Sequence, residues 1–389
     1  MPRVLLFTAS FGSGHNQACH AVKEMLEERG AVVKVVDLVK LLHPSVRPIV
    51  TRVFLQVLKK APWLYGVMYD ALSTNRSKSF VERQLFRLGR RKISSILQSF
   101  QPDVVCSTHP TSVGIVSELR ARGMTSVPNV EVITDYTVHG HWVHPNVDLY
   151  CVACEEVGRE LQRMGVPARK IHVTGLPIRK VFNEMQEVRD DPSRRLQLRL
   201  KNGIDGNKPL FLVMGGGEGI IGTASMWERI TKRVDAQFVI VCGKNQRLYH
   251  QLRDLESNNV RVFGYVPNIE QWMAMADMLV TKAGGLTMTE AFSLGLPMLL
   301  FRPIPGQEYA NACYAVKRGA AQLFYSLADA ERIMSEFVAE REQRAKFHLG
   351  TANRDTSKAS NRIAQLLLHP ELLMDVETPI HTWIPAASE

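Results

Sequence analysis

Residues 3–26 read RVLLFTASFGSGHNQACHAVKEML. The first eight residues form an apolar run suited to a strand buried on both faces. Gly12 and Gly14 then turn the chain, and Ala18, Val22, Met25 and Leu26 recur at helical spacing. A strand, a glycine turn and an amphipathic helix make one β-α unit. Working outward, short apolar runs repeat the pattern: AVVKVVDLV (31–39), PDVVCST (102–108), NVEVITD (129–135) and DLYCVAC (148–154). Residues 189–209 turn polar and carry Pro192, Gly203, Gly206 and Pro209, read as helix plus turn beyond a hinge near Leu176–Pro177. A second series follows: PLFLVMGGG (209–217), QFVIVCGK (237–244), VRVFGYV (260–266), DMLVTKAGG (277–285), PMLLFRP (297–303) and AQLFYS (321–326). The expected fold is α/β, with two doubly wound, Rossmann-like parallel sheets whose ligands bind beyond the carboxyl ends of the strands. The tail NRIAQLLLHPELL (361–373) reads as helix.

Composition agrees with two globular domains. The chain has 389 residues, of which 45% are hydrophobic and 22% charged. That length fits two domains of about 150–200 residues each. No apolar run reaches the ~18 residues of a spanning helix. The first strand begins at Arg3, leaving no room for a targeting peptide, so a cytoplasmic protein is expected. Of the six cysteines only Cys151 and Cys154 are close, and without a second such pair they read as ordinary thiols of a reducing compartment. Net charge is +10, and residues 40–92 carry 12 Lys/Arg against Asp70 and Glu82 alone, so this window holds the whole excess. Such a patch calls for an anionic partner, nucleic acid or an acidic membrane. No nucleic-acid module accompanies it, and its aromatics are not interleaved as a stacking platform.

Four stretches carry candidate chemistry. In MGGGEGIIG (214–222), Gly217, Gly219 and Gly222 fit G-x-G-x-x-G. The next strand ends in Cys242, Gly243 and Lys244 instead of the acidic residue a dinucleotide ribose needs, which argues against NAD. Either a phosphate-bordering loop or simple turn geometry fits. In TKAGGLTMTEAFSLGLP (281–297), two glycines precede a helix expected to open near Leu286 or Thr287, where bare amides attract a diphosphate. Glu290 suits a ribose diol or the helix dipole equally. In RPIPGQEYANAC (302–313), Gln307, Glu308 and Asn311 suit sugar hydroxyls or helix capping. In ITDYTVHGHWVHPNVD (133–148), Asp135, His139, His141 and His144 lack a helical i, i+4 ligand pair, so a loop serving an acid–base residue is preferred to a metal site.

Taken together, FGSGH, TDY…WVH, GLPI, MGGGEG, CGKN, FGYV, TKAGGLTMTEA and RPIPGQEYAN resemble, in order and spacing, the monogalactosyldiacylglycerol synthases and the bacterial processive diacylglycerol β-glucosyltransferases of glycosyltransferase family 28. The resemblance spans about residues 3–320 and is strongest to the bacterial enzymes through TDYTVHGHWVHPNVDLY and RPIPGQE. More distantly the chain resembles the lipid-linked N-acetylglucosaminyl transferase of peptidoglycan synthesis. The resemblance implies a GT-B fold, two Rossmann-like domains facing across a cleft. It implies an acceptor and membrane domain over 1–177, a UDP-sugar domain over 178–355 and a helical tail over 356–389 crossing back to the first. It places the diphosphate at Gly284, Gly285, Leu286 and Thr287, the ribose at Glu290, uracil beside Phe263–Val266 and the sugar at Gln307, Glu308 and Asn311, with Gly217 bordering the cleft. His15 matches the general base or acceptor-binding histidine, and Asp135 an acidic position near the reaction centre. FGSGH replaces the longer Gly-Gly-Gly-His run of the plant galactosyltransferases, which favours glucose over galactose.

The implied reaction is an inverting hexosyl transfer from a UDP-sugar to diacylglycerol, with further hexoses open. A histidine with an ordinary pKa of about 6.5 suits removal of the acceptor proton. No acidic cluster resembles a metal cage, so no tightly bound cofactor is expected, with Mg2+ stimulation left open. The segment IVTRVFLQVLKKAPWLYGVMY (49–69) pairs apolar anchors with cations, giving Arg52, Lys59, Lys60, Trp63 and Tyr65 as membrane contacts. A peripheral enzyme on the cytoplasmic face of the cell membrane is the expectation. The competing readings are a UDP-galactose-using synthase, a soluble UDP-sugar epimerase and a UDP-sugar-sensing regulator.

Overall fold

The structure is a computed structural model and describes residues 1–10, 13–41, 80–219, 221–301, 303–339 and 358–373. The opening motif folds as strand β1 (Arg3–Thr8) and helix α1 (Ser13–Glu27). Then come β2 (Val32–Asp37), α2 (Leu38–Leu41), α3 (Phe80–Phe100), β3 (Val104–Ser107), α4 (Pro110–Ala121), β4 (Asn129–Val132), β5 (Leu149–Val152), α5 (Glu155–Arg163) and β6 (Ile171–Val173). All pairings among these strands are parallel, in the order β2-β1-β3-β4-β5-β6. The run 31–39, expected as one strand, stops at Asp37. There the Asp37 carboxylate accepts hydrogen bonds from the Val39 and Ser10 amides at 3.0 and 3.1 Å and starts the helical turn α2.

Both faces of this sheet are covered, as a parallel sheet requires. Alternation sends Val4 and Leu6 to one face and Leu5 and Phe7 to the other. The first face packs against Cys19, Val22 and Leu26 of α1, and against Ile363, Ala364 and Leu367 of α14 (Ala359–Leu368). The second packs against Ile93 and Leu97 of α3 and Ile115, Val116 and Leu119 of α4. Each such fully buried aliphatic side chain contributes roughly 1.5–3 kcal/mol. Cys151 and Cys154 are buried and unbridged.

The second series folds as α6 (Val181–Asp190), α7 (Pro192–Lys201), β7 (Leu210–Met214), α8 (Ala224–Arg233), β8 (Gln237–Val241), α9 (Gln246–Leu252), β9 (Val260–Phe263), α10 (Ile269–Met275), β10 (Met278–Thr281), α11 (Gly285–Ser293), β11 (Met298–Phe301), α12 (Gln307–Lys317), β12 (Ala321–Phe324) and α13 (Leu327–Ala339). Its parallel strands run β12-β11-β10-β7-β8-β9. Counted within the unit, that is the Rossmann order 3-2-1-4-5-6. Phe211, Phe238, Ile240, Met278, Val280, Trp227 and Phe337 fill its core. The chain divides into two units: one holds β1–β6 and α14, the other α6 to α13 with β7–β12.

The polar stretch after the first unit is two helices. They break at Asp191, whose carboxylate caps α7 through the Ser193 and Arg194 amides at 2.9 and 3.1 Å, with Pro192 at the first helical position. Arg195 and Arg199 of α7 then reach the carbonyls at the end of α10. Each also grips Asp277, at 2.7 Å. Burial pushes the Asp277 carboxyl up, but the two guanidinium charges and the Leu210 amide outweigh it and hold the group below the usual carboxylate range. Among the described residues no helix is long and apolar enough to cross a membrane.

Candidate functional site

In the N-terminal unit, the strand order reverses direction between β1 and β3, the point where open α/β sheets bind ligands. His15 lies there, in the first turn of α1. Its Nδ1 is 2.6 Å from the Thr108 carbonyl, just past β3, and 3.0 Å from Thr134 Oγ1, just past β4. A carbonyl only accepts, so Nδ1 carries the proton and Nε2 keeps its lone pair. The turn itself is tied down by a run of hydrogen bonds. Thr8 Oγ1 donates to Asn16 Oδ1, Asn16 Nδ2 to Ser10 Oγ, and Ser10 Oγ to Asp37, at 2.8, 2.9 and 2.5 Å. Thr108 Oγ1 also bonds the His15 carbonyl at 3.0 Å.

The His15 ring stands edge-on to His109, with centroids 4.9 Å apart, and 6.4 Å from Trp142. Burial lowers its pKa below the ordinary histidine value, while the Asp135 charge and the Thr108 carbonyl oppose the shift. Burial prevails, so at neutral pH the ring is uncharged and ready to accept a proton at Nε2. Asp135 is buried, 4% exposed, and interacts electrostatically with His15. His109 caps α4, its Nδ1 accepting from the Thr111 amide at 3.3 Å. Burial and the neighbouring His15, His141 and His139 hold its pKa well below normal.

His139 and His141 stack with centroids 6.2 Å apart beside a short 3-10 turn, Gly140–Trp142. Burial, then His141, brings His139 down to about 3. Among the described residues no group of three or more His, Cys, Asp or Glu is arranged to hold a metal ion.

In the C-terminal unit the corresponding reversal lies between β7 and β10. The loop after β7 contains Gly217, and that after β10 contains Gly284. Crowding explains the neighbouring Gly219. Its φ is +61°, and a Cβ there would lie 1.8 Å from the Cys242 carbonyl oxygen. The loop after β8 presses on it, with the Lys244 amide donating to the Gly217 carbonyl at 3.0 Å and Asn245 Nδ2 to that of Gly219 at 3.2 Å. Gly284 differs. It is extended (φ −82°), caps α11, and a Cβ there would meet nothing within 4 Å. The helix opens at Gly285, earlier than the expected Leu286 or Thr287, because Gly284 takes the cap position and its carbonyl accepts the Met288 amide at 3.0 Å. The amides of Gly285, Leu286 and Thr287 belong to the first turn, where no intrahelical acceptor exists. Such a cradle fits a diphosphate.

Glu290 is buried in α11. Gln307 and Glu308 begin α12 after β11, and Asn311 follows one turn on. Asn311 Nδ2 donates to the Ala283 carbonyl at 3.1 Å, while Glu308 pairs with Lys282 at 2.7 Å. Phe263 ends β9 with its ring 5.2 Å from that of Trp272, and Val266 follows in the same loop, half-buried. All these residues of the C-terminal unit thus lie on segments leaving the carboxyl ends of its strands or opening the next helix. Arg52, Lys59, Lys60, Trp63 and Tyr65 lie outside the described residues. Sequence reading missed Thr108 and Thr134, which meet His15 Nδ1, His109, whose ring stands edge-on to it, and Lys282, which pairs with Glu308. Thr108 ends the predicted run PDVVCST and His109 follows it, a position at the carboxyl end of a strand that marks such residues as site candidates.

Comparison with known proteins shows the family. Residues 15–178 match the model of the monogalactosyldiacylglycerol (MGDG) synthase family, and residues 213–367 that of the glycosyltransferase family 28 C-terminal domain. The chain is 34% identical over 325 residues to a processive diacylglycerol β-glucosyltransferase of Bacillus cereus (strain AH187), covering 82% of this chain and 81% of that protein. A relative of the same name from Bacillus anthracis (strain CDC 684 / NRRL 3495) is 33% identical over the same shares. Among solved structures, Acinetobacter baumannii MurG superposes with TM-score 0.62 at 14% identity, covering 95% of this chain and 99% of that one. The S. aureus MnaA–UDP structure gives 0.64 at 13%, covering 96% and 98%. At these identities the likeness is one of fold, and it places both Rossmann-like units in the GT-B class.

Proposed function

Because this chain belongs to the family of monogalactosyldiacylglycerol synthases and processive diacylglycerol β-glucosyltransferases, and is thus a glycosyltransferase acting on diacylglycerol, we propose that it moves glucose from UDP-glucose to the diacylglycerol hydroxyl with inversion. The donor sugar is α-linked to UDP and the product β-linked. A single in-line displacement achieves this: the acceptor oxygen bonds to the anomeric carbon as the bond to the UDP β-phosphate oxygen breaks. The observation that carries the reading is the 2.6 Å approach of His15 Nδ1 to the Thr108 carbonyl, from which the tautomer follows. With Nδ1–H directed at the Thr108 carbonyl, Nε2 takes the acceptor proton. Asp135 stabilises the imidazolium formed. The amides of residues 285–287, cradled behind Gly284, receive the negative charge that gathers on the departing diphosphate. Glu290 takes the ribose hydroxyls, Phe263–Val266 the uracil, and Gln307, Glu308 and Asn311 the hexose. Gly217 borders the same donor site, and Lys282 keeps Glu308 oriented. No step in this scheme needs a resident cofactor.

Membrane attachment is part of the proposal, since the acceptor is a lipid, and the basic window 40–92 supports an anionic surface as its seat. The test is direct. Purified protein is incubated with UDP-glucose or UDP-galactose and diacylglycerol vesicles, and the lipids are resolved. A β-glucosyl lipid from UDP-glucose supports the reading, and larger glycolipids add processivity. Free sugar released with no glycolipid refutes it.

A further inference from the structure

The two sides of α12 carry different chemistry. Gln307, Glu308 and Asn311 share one side; Glu308 and Asn311 there hold Lys282 and the Ala283 carbonyl. About half a turn of arc away, at the i, i+4, i+7 spacing of a single stripe, stand Tyr309, Cys313 and Val316. This stripe faces water: Tyr309 is 53% and Val316 40% exposed, and Cys313 is the exposed member among the chain's free cysteines. Tyr309 stands one turn from Cys313 and close to Tyr325, which is 60% exposed just beyond β12, the edge strand of its sheet. Two tyrosines and a valine left in solvent on one patch ask for a partner.

The charge around the stripe says which. Residues 309–326 contain Lys317 and Arg318 and no Asp or Glu. Lys317 is exposed and follows Val316 directly, while the Arg318 guanidinium lies 4.6 Å from the Tyr314 ring. Asp329, the next acidic group along the chain, accepts from the Tyr325 and Ser326 amides and is engaged in capping α13. Tyrosine rings with a cationic rim match a bilayer interface, where the ring body enters the acyl boundary and the hydroxyl and cations stay among the headgroups. We propose that the outer stripe of α12, with Tyr325, is a second membrane-contact surface, on the C-terminal unit and separate from the basic window 40–92, and that it takes anionic lipid. The inference rests on the reading of a lipid acceptor. It makes α12 one rod that touches the donor sugar on one side and the bilayer on the other.

Cys313 offers the test, because Cys19, Cys106, Cys151, Cys154 and Cys242 are buried and a polarity-sensitive maleimide dye will label it selectively. The labelled full chain is mixed with vesicles of phosphatidylcholine with or without 30% phosphatidylglycerol, a composition of about the anionic content that recruits basic interfacial segments. The expected result is blue-shifted emission, quenched by brominated acyl chains, with the anionic vesicles. The double variant Val316→Glu/Lys317→Glu should lose that quenching and bind vesicles about tenfold more weakly, while UDP-glucose binding is kept as evidence of folding. The proposal is overturned if the label stays unquenched while the protein co-sediments with the vesicles, or if quenching persists in the double variant. A blue shift that depends on protein concentration without vesicles also overturns it, assigning the stripe to a second copy of the chain. Glycolipid synthesis is measured separately, so its absence would refute the catalytic reading and leave the quenching result to judge the surface.

Discussion

Nε2 of His15 is the atom on which the proposed chemistry turns. His15→Ala should lower kcat by about 10²–10⁴-fold with UDP-glucose binding retained by calorimetry. The pH profile gives a sharper check. A base works unprotonated, so kcat/KM should rise with pH through the His15 pKa. Because burial places that pKa below 6.5, the acid limb should lie below pH 6.5. Asp135→Asn removes a charge that raises the pKa, so the limb should move to still lower pH, a shift that a purely structural role would not produce. Gly284 and Gly219 form a second contrast. Gly284→Ala has open space for its methyl and an ordinary backbone, so melting should not change. UDP-glucose should nonetheless bind about tenfold or more weakly if a diphosphate rests on that backbone. Gly219→Ala instead meets the Cys242 carbonyl and should destabilise the fold outright. Glu131 is a different case. It lies fully buried in β4, and burial raises its pKa well above normal. The native state therefore keeps a proton that the unfolded chain releases above about pH 4.5, and stability falls as pH rises beyond that value. In Glu131→Gln that loss, at most about 1.4 kcal/mol per pH unit, should vanish from denaturant titrations run between pH 5 and 8.

At the scale of elements, α7 is held to the end of α10 by charge more than by apolar contact. Asp277 sits between Arg195 and Arg199 and also accepts the Leu210 amide at 2.8 Å. Asp277→Ala would leave Arg199, 7% exposed, without its counter-ion, which costs roughly 3 kcal/mol. The Asp277 pKa is depressed, so the contribution is present at neutral pH and is lost as pH falls through a value below 3.8. The difference between wild type and variant should therefore close in strongly acidic buffer. These elements were unevenly legible in the sequence. Strands such as LFLVM (210–214) and MLVT (278–281) announce themselves, because a strand buried on both faces must be apolar throughout. The α2 turn was hidden, since Val39 continues an apolar run and only the Asp37 cap ends it. Glu131 was hidden too, being a single polar letter within NVEV whose burial depends on neighbours far along the chain.

For the whole molecule, the two-sheet plan could be read from alternation, but strand order could not, because a run of residues does not state its neighbour. The site was legible to the same degree. His15 stood out beside its glycines, yet Thr108 and Thr134, which set its tautomer, are 93 and 119 positions away. Charge is also a property of this scale. The +10 excess falls within residues 40–92, so vesicle binding should strengthen with anionic lipid and weaken steeply with salt. Co-sedimentation at two ionic strengths checks this, and equal binding to neutral vesicles at low salt would refute it. The placement of α14 bears on how the molecule is made. Ile363, Ala364 and Leu367 lie on the same apolar face as Val4 and Leu6, and Ser360 Oγ bonds the Ile178 carbonyl at 2.7 Å. During synthesis, then, α1 can cover its part of that face at once, while the part taken by α14 stays open until residues 359–368 have emerged, after the whole of the second unit. The second unit, contiguous from α6 to α13, has its whole core available sooner. The unit that holds β1 therefore completes its core only after the unit that follows it along the chain.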